Sequence, residues 1–533
     1  MAGRKPPFAE QIMTKIDLSA LEAALDALPS AYPGPGGAAG LLLEGAPLAA
    51  RAWGYADLDA RRPMTSETRL PICSISKQFT CMALLAAFPD PERLSGRLAA
   101  LAPAFVGPRP SLAELCHNQS GLRDYWALTV LEGAKAEQPF RREDLAPMLA
   151  HLRSGHFAPG LRYSYCNLNY RLLADLLEAE TGLPLEELYR RHVWAPAGMS
   201  GAVLTADTRR PEDRVTGYEG DAANGWIPAV NGVYWIGDAG ISASLEDMLA
   251  YERWIDATRE DPRGLYRRIS EPVAFRDGTP AEYGYGLRRS AVAGLEATGH
   301  GGALRGFRCH RLNIRAARLS VVVMFNHQAD AHGAAQRLAR AALGEAEASP
   351  AAPISAEWVR SWIGAETGLI ARISRHEGGG SLRFAVGAEP LREHEGALVS
   401  PLSRIEREGE GLILRRASEN LTERLRPLPK APPQDAGELA GRYVSADLGG
   451  AEMRIEARGG AAHVWFKGFL GEGRPEPLSF VAPDLWLIST RRSMDAPAPG
   501  DWTLQLSRDA SGAVAGARVG CWLARGLRYD KRL

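Results

Sequence analysis

The sequence is poor in the features that mark an exported, membrane-spanning or nucleic-acid-binding chain. Six cysteines stand in 533 residues, at positions 73, 81, 116, 166, 309 and 521. None makes a C-x-x-C pair and no tight spacing suggests a disulfide framework, so they read as reduced thiols or small core residues, which fits a reducing compartment. No window approaches eighteen uninterrupted apolar residues, the length a spanning helix needs. The opening Met-Ala-Gly-Arg-Lys-Pro-Pro leads into a mixed polar stretch rather than the apolar core of a signal peptide, so no export by that route and a cytoplasmic location are expected. Net charge has no sign either: 63 Lys and Arg balance 63 Asp and Glu. That removes the electrostatic case for nucleic acid or an anionic membrane as an obligate partner. Several catalytic signatures are missing too. There is no His-Glu-x-x-His, no Walker loop and no Gly-x-Ser-x-Gly elbow, and Gly34-Pro35-Gly36 lacks the third glycine of a dinucleotide fingerprint. The pairs His151/His156 and His327/His332 have a spacing that does not share a helix face, so no metal and no cofactor are expected.

What is present suggests two or three domains, because the chain exceeds what one core usually serves. An amphipathic helix is predicted from about Ser19, with Ser19 and Glu22 as a capping box and Leu21, Ala24, Leu25 and Leu28 as its apolar stripe. A Pro/Gly run at 33–37 stops it. Strand-like segments follow at 41–43 and 50–55, then a helix near Ser74, a mostly helical stretch at 112–248, and strands over 285–325. The fold class expected is α+β, a layered α/β sandwich with an antiparallel sheet, followed by two small antiparallel β-barrel domains. Composition shifts near 345 and over 426–437 divide the chain into 1–345, 346–430 and 431–533. In the second part Gly378-Gly379-Gly380 reads as a hairpin turn between strand patterns at 369–376 and 382–386. In the third, Gly459-Gly460 turns the chain between Ile455 and His463.

Chemistry concentrates at Cys73-Ser74-Ile75-Ser76-Lys77-Gln78-Phe79. Residues three apart on a helix share a side, so the Ser74 hydroxyl and the Lys77 ammonium can meet. A serine hydroxyl becomes a competent nucleophile only when a base takes its proton, and a helix start offers free N–H groups to a developing negative charge. Downstream, Tyr165-Cys166-Asn167 precedes a helical stretch. A phenol near an ammonium can act as base or relay, and an amide can orient a substrate carbonyl. The third element is His300-Gly301-Gly302-Ala303, where Gly302 permits close approach of a substrate backbone and the N–H of Ala303 could complete an oxyanion hole with that of Ser74.

In the order Ser-x-x-Lys, Tyr-x-Asn, His-x-Gly, these elements resemble the penicillin-recognising serine hydrolases. The likeness extends to His117-Asn118-Gln119-Ser120-Gly121-Leu122, Pro196-Ala197-Gly198-Met199, Gly237-Asp238-Ala239-Gly240-Ile241 and Tyr283-Gly284-Tyr285-Gly286, and covers roughly the first 345 residues. His300 in place of lysine, the cysteine before Ser74 and the two C-terminal β domains resemble the D-aminopeptidase branch of that superfamily. The resemblance implies removal of N-terminal D-residues from peptides, amides or esters, and a homodimer. It also implies a loop of the last domain reaching the catalytic cleft, for which the match is 491–501, with Asp495 positioned to pair with a substrate amine. A lysine in the third motif suits substrates with a free carboxylate, whereas a histidine is largely uncharged near neutral pH. The expected partner is therefore a small peptide or amino-acid amide with a free N-terminal amine. Ser74 would form an acyl-enzyme while Lys77 or Tyr165 accepts its proton, and coupled titration leaves that choice open. Alternatives are an esterase, a D,D-peptidase or a β-lactamase on the same fold, and, from another class, a non-catalytic peptide-binding or assembly module.

Overall fold

The computed structural model describes residues 16–345, 352–385, 387–490 and 500–532. The chain divides into two compact units that do not follow chain order. One holds the segments up to 93, 170–273 and 282–348, the other 94–169, 274–281 and 349 onward.

The first unit is built on an eight-stranded antiparallel sheet. Its order is Tyr283–Gly284, Leu287–Val292, Leu295–Leu304, Phe307–Ile314, Leu319–Phe325, Gly36–Leu43, Ala46–Asp57 and Arg62–Pro63. The run Leu319–Phe325, apolar but for Ser320, is buried at every position because both its faces are covered. On one face Leu319, Val321, Val323 and Phe325 pack with Leu21, Leu25 and Leu28 of the helix Leu18–Ala31 and with Ala335 and Leu338 of the helix Ala331–Ala342. On the other side of the sheet, Gly40 approaches Leu245 and Leu249 of the helix Leu245–Ala257.

The apolar stripe of the first helix is buried as expected, but its cap differs. The N-cap is Asp17, whose carboxylate accepts from Ala20 N at 2.9 Å. A carboxylate two residues upstream takes the orphan donor first, so Ser19 lies inside the helix and Glu22 instead pairs with Arg51.

In the second unit, strands from Arg360–Gly364 to Leu421–Pro427 form a closed barrel, shut where Trp362 pairs with Pro427 and Gly364 with Leu425. A second ring runs from Gly441–Ser445 to Ala524–Arg532 and closes because Ala451–Arg458 pairs with both Gly441–Ser445 and Ala461–Gly468. Both C-terminal regions are thus antiparallel barrels, each of eight strands in its ring. Gly459 and Gly460 sit at φ 58° and 82°, the left-handed pair that a tight two-residue hairpin demands. The other glycine hairpin turns earlier than its sequence suggests, with His376 already opposite Gly379. Gly380 belongs to the strand, where a Cβ would lie 2.5 Å from Ile354 Cδ1.

Candidate active site

Ser74 lies in a 3₁₀ turn, Cys73–Ile75, that runs straight into the helix Ser76–Ala87. From Leu70 to Leu85 every residue is buried except Ser74, which is partly exposed. The turn is strained: Cys73 has φ 50°, a left-handed conformation costly for a side-chain-bearing residue, and such strain is stored where neighbours over-determine it. The neighbour here is the strand Leu295–Leu304. A Cβ on its Gly302 would stand 2.3 Å from the Ile72 carbonyl oxygen and 3.1 Å from Cys73 Cβ, so only glycine lets strand and turn meet. Gly302→Ala must part them and spoil the backbone donors beside Ser74. The expected result is an acylation rate lower by about 10²- to 10³-fold, read from burst kinetics, with the far-ultraviolet dichroism unchanged.

Lys77 is fully buried. Its Nζ donates to Ser74 Oγ at 3.1 Å and to the Asp238 carbonyl at 2.7 Å, and it lies 5.3 Å from the centre of the Tyr170 ring, within cation–π range. Gly237-Asp238-Ala239-Gly240 thus has a local purpose. Gly237 and Gly240 take φ 82° and 104°, and Thr80 Oγ1 holds the Gly237 carbonyl at 2.6 Å, which turns the Asp238 carbonyl onto the ammonium.

His300 is buried in the same unit, with Nδ1 against the Gly301 carbonyl and Nε2 3.0 Å from Tyr283 Oη. A carbonyl can only accept, so Nδ1 carries the proton and Nε2 accepts from the Tyr283 hydroxyl. Tyr283 Oη in turn lies 3.4 Å from Tyr170 Oη. Burial, with the Lys77 charge adding to it, pushes His300 down to about 3, so the ring is neutral at physiological pH. Burial likewise takes His117 down to about 4. Between its depressed folded pKa and the ordinary value near 6.5, such a histidine binds fewer protons folded than unfolded. Its contribution is therefore fully present above about 6.5 and lost as pH falls toward the folded pKa. For His300 alone the expected loss is on the order of 3 kcal/mol between about pH 7 and about pH 4. Denaturant titrations at both pH values should show a smaller acid loss in His300→Gln.

Tyr165 and Asn167 belong to the second unit. Between Tyr163 and Ala174, Tyr165 is the residue left partly exposed. Asn167, first residue of the helix Asn167–Thr181, donates its backbone N–H and Nδ2 to Asp124 Oδ2 at 2.5 and 2.9 Å. Asp124 also caps the helix Tyr125–Leu131 through Trp126 N. The side chain of Asn118, at φ 54°, accepts from Cys166 N at 3.2 Å and from Asn169 Nδ2 at 3.1 Å, while Ser120 Oγ donates to Asn169 Oδ1. The His117 to Leu122 segment is therefore the brace of the Tyr-x-Asn segment.

The sequence-predicted residues accordingly form two groups. Ser74, Lys77, His300, Gly302 and Ala303 come together in the first unit, and Tyr165 with Asn167 in the second. Asp495 lies outside the described residues. The sequence reading missed Asp124 and the tyrosine pair at 170 and 283. It also missed the buried pair Glu252 and Arg311, whose guanidinium reaches Gln78 and Tyr266. No sequence signal singles that pair out, because each stands in a stretch with several charged residues, 245–255 and 307–325.

Comparison with known proteins agrees with this geometry. Residues 21–346 match the beta-lactamase family model and residues 351–530 the model of D-aminopeptidase domain B. A Cereibacter sphaeroides protein named D-aminopeptidase is 56% identical over 521 residues, covering 97% of this chain and 99% of that one. Another from Brucella melitensis, named likewise, is 47% identical over 526 residues, covering 97% and 100%. Among solved structures, a D-amino acid amidase from Ochrobactrum anthropi in complex with D-phenylalanine matches with a TM-score of 0.51 at 19% identity, covering 61% of this chain and 98% of that one; this likeness concerns the fold. With a beta-lactamase domain, two C-terminal barrels and full-length relatives at this identity, the chain belongs to the D-aminopeptidase family.

Proposed function

We propose that this chain is a serine aminopeptidase that removes N-terminal D-residues, D-alanine among them, from peptides, amides or esters through an acyl-enzyme. The observation that carries the reading is the Lys77 Nζ to Ser74 Oγ contact of 3.1 Å on an otherwise buried turn whose one partly exposed residue is Ser74. Ser74 Oγ attacks the scissile carbonyl and its proton passes to Lys77 or Tyr165. The backbone N–H groups of Ser74 and Ala303 receive the oxyanion, and Asn167, fixed by Asp124, holds the acyl carbonyl. The amine leaves with a proton, and water hydrolyses the ester. Substrate preference is supported by His300: a neutral ring supplies no cation for a free substrate carboxylate, so a substrate bearing an ammonium group is favoured. Asp495 is the proposed partner of that ammonium.

We also retain the division into 1–345, 346–430 and 431–533, a homodimer and a cytoplasmic location. Six buried free cysteines fit the last of these, and among the described residues no helix is long and apolar enough to cross a membrane. The test is a substrate panel: D- and L-alanyl p-nitroanilides with free and acetylated amines, a nitrophenyl ester and a β-lactam. The free-amine D compound should exceed its L and acetylated counterparts in kcat/KM by at least about 100-fold, the discrimination that paired polar groups can supply. A preference for the acetylated compound or for the β-lactam would refute the reading.

A further inference from the structure

Among the described residues five arginines are buried: Arg123, Arg171, Arg311, Arg416 and Arg525. Three of them have their own carboxylates. Arg171 pairs with Asp175, Arg311 with Glu252, and Arg416 with Glu389 and Glu419. Arg123 and Arg525 make no ion pair among the described residues, where Asp447 acts on Arg123, and Glu419 and Glu423 on Arg525, only at longer range, and both line the same cavity of about 320 Å³ in the second unit. Burying a guanidinium without a directly paired counter-charge is costly, and two such groups at one cavity suit an anion.

The local bonds sharpen this. Arg123 donates Nε to the Arg525 carbonyl at 3.1 Å and Nη1 to the Ser154 carbonyl and hydroxyl at 2.6 and 3.0 Å. Arg525 donates Nε to the Trp522 carbonyl and lies 3.9 Å from the centre of that ring. Its Nη2, cut off from solvent, has no hydrogen-bond partner among the described residues. Burial pulls both guanidiniums down to about 10, a cost that Asp447 near Arg123 and Glu419 near Arg525 offset only in part. On the wall of the same cavity, Arg518 and Arg528 stand directly opposite each other on paired strands. That like-charge register is unfavourable unless something negative is shared. Of the cavity's two carboxylates, Glu366 is engaged by Arg162 at 2.6 and 2.8 Å, and Asp447 accepts from the Arg528 backbone N–H at 3.1 Å. Five arginines therefore face two acids.

We propose that this cavity is a binding site for a small phosphate-type oxyanion, either free phosphate or a phosphomonoester. Arg525 Nη2 would donate from the floor, and Arg518 and Arg528 would clasp the anion at the mouth, the bidentate geometry that guanidinium and phosphate share. The residues lining the cavity include neither Ser74, Lys77, Tyr165, Asn167 nor His300, so the inference stands independently of the proposed activity.

Calorimetric titration of the full chain with inorganic phosphate, and separately with glycerol phosphate, tests it in low-chloride buffer. Saturable binding of one equivalent is expected, weakened by added salt. A tighter constant for glycerol phosphate would assign the organic source, equal constants the free ion. The double substitution Arg518→Gln with Arg528→Gln, at exposed positions, should weaken binding by at least about tenfold, the equivalent of one lost charge-assisted contact. Its melting profile without phosphate should be no lower than the parent's, and raised to the extent that the like-charge repulsion is relieved. Arg525→Met should abolish binding. Absence of saturable heat with both ligands, or an undiminished constant in the double variant, would overturn the proposal.

Discussion

Ser74→Ala is expected to lower kcat on a D-alanyl p-nitroanilide by about 10⁴- to 10⁶-fold. The same protein should show no mass increment with an acylating substrate analogue that labels the parent. The size follows from what remains: without the hydroxyl no ester can form, and residual rate comes only from binding and from backbone donors acting on a water. Ser74 is partly exposed on a turn whose neighbours are buried, so removing its oxygen empties little core and thermal stability should hardly change. Rate and stability thus separate cleanly. Labelling at another residue, or turnover within about tenfold of the parent, would remove Ser74 from the mechanism, whereas absence of both adduct and turnover in the parent itself would favour the non-catalytic alternative.

Glu252→Ala has its largest effect on stability. Glu252 and Arg311 are both fully buried and joined through both oxygens of the carboxylate. The guanidinium also donates to Tyr266 Oη at 2.7 Å and to Gln78 Oε1 at 3.3 Å, and Tyr251 Oη donates to the same Gln78 oxygen at 2.9 Å. The network ties the helix Leu245–Ala257 and the strand Phe307–Ile314 to the helix that carries Lys77. Removing the carboxylate strands a buried cation, for which a loss of about 3–5 kcal/mol is expected in denaturant unfolding. The double variant Glu252→Ala with Arg311→Met should recover most of that, because taking away both charges of a buried pair is close to neutral. Equal destabilisation in single and double variants would show that packing, not charge, dominates. Because Gln78 adjoins Lys77, kcat should fall in the single variant as well.

Much of this architecture was legible in the sequence because it is local. The Ser-x-x-Lys spacing predicts the Ser74–Lys77 contact, and helical geometry delivers it at 3.1 Å. The largely apolar run 319–325 is a buried central strand, and Gly459-Gly460 is a hairpin turn because two consecutive left-handed residues are cheap only for glycine. The helix cap at Asp17 was misplaced onto Ser19, since two nearby oxygen-bearing side chains compete for one donor and a pattern cannot rank them.

What tertiary structure alone decided lies between residues far apart in the chain. Asp124 fixes Asn167 across 43 positions, Asp238 lends its carbonyl to Lys77 across 161, Glu252 neutralises Arg311 across 59, and Arg123 meets Arg525 across 402. No periodicity encodes such pairs, because each depends on which surfaces the folded sheet and barrels bring together. By itself the sequence determined the family, the α+β and barrel architecture, and the residue types at the proposed nucleophile and its neighbours. Packing decided which carbonyl anchors Lys77, which tautomer His300 adopts, and which two buried arginines are left facing a cavity. Local sequence sets what a residue can donate or accept; burial in three dimensions sets what it must find as a partner.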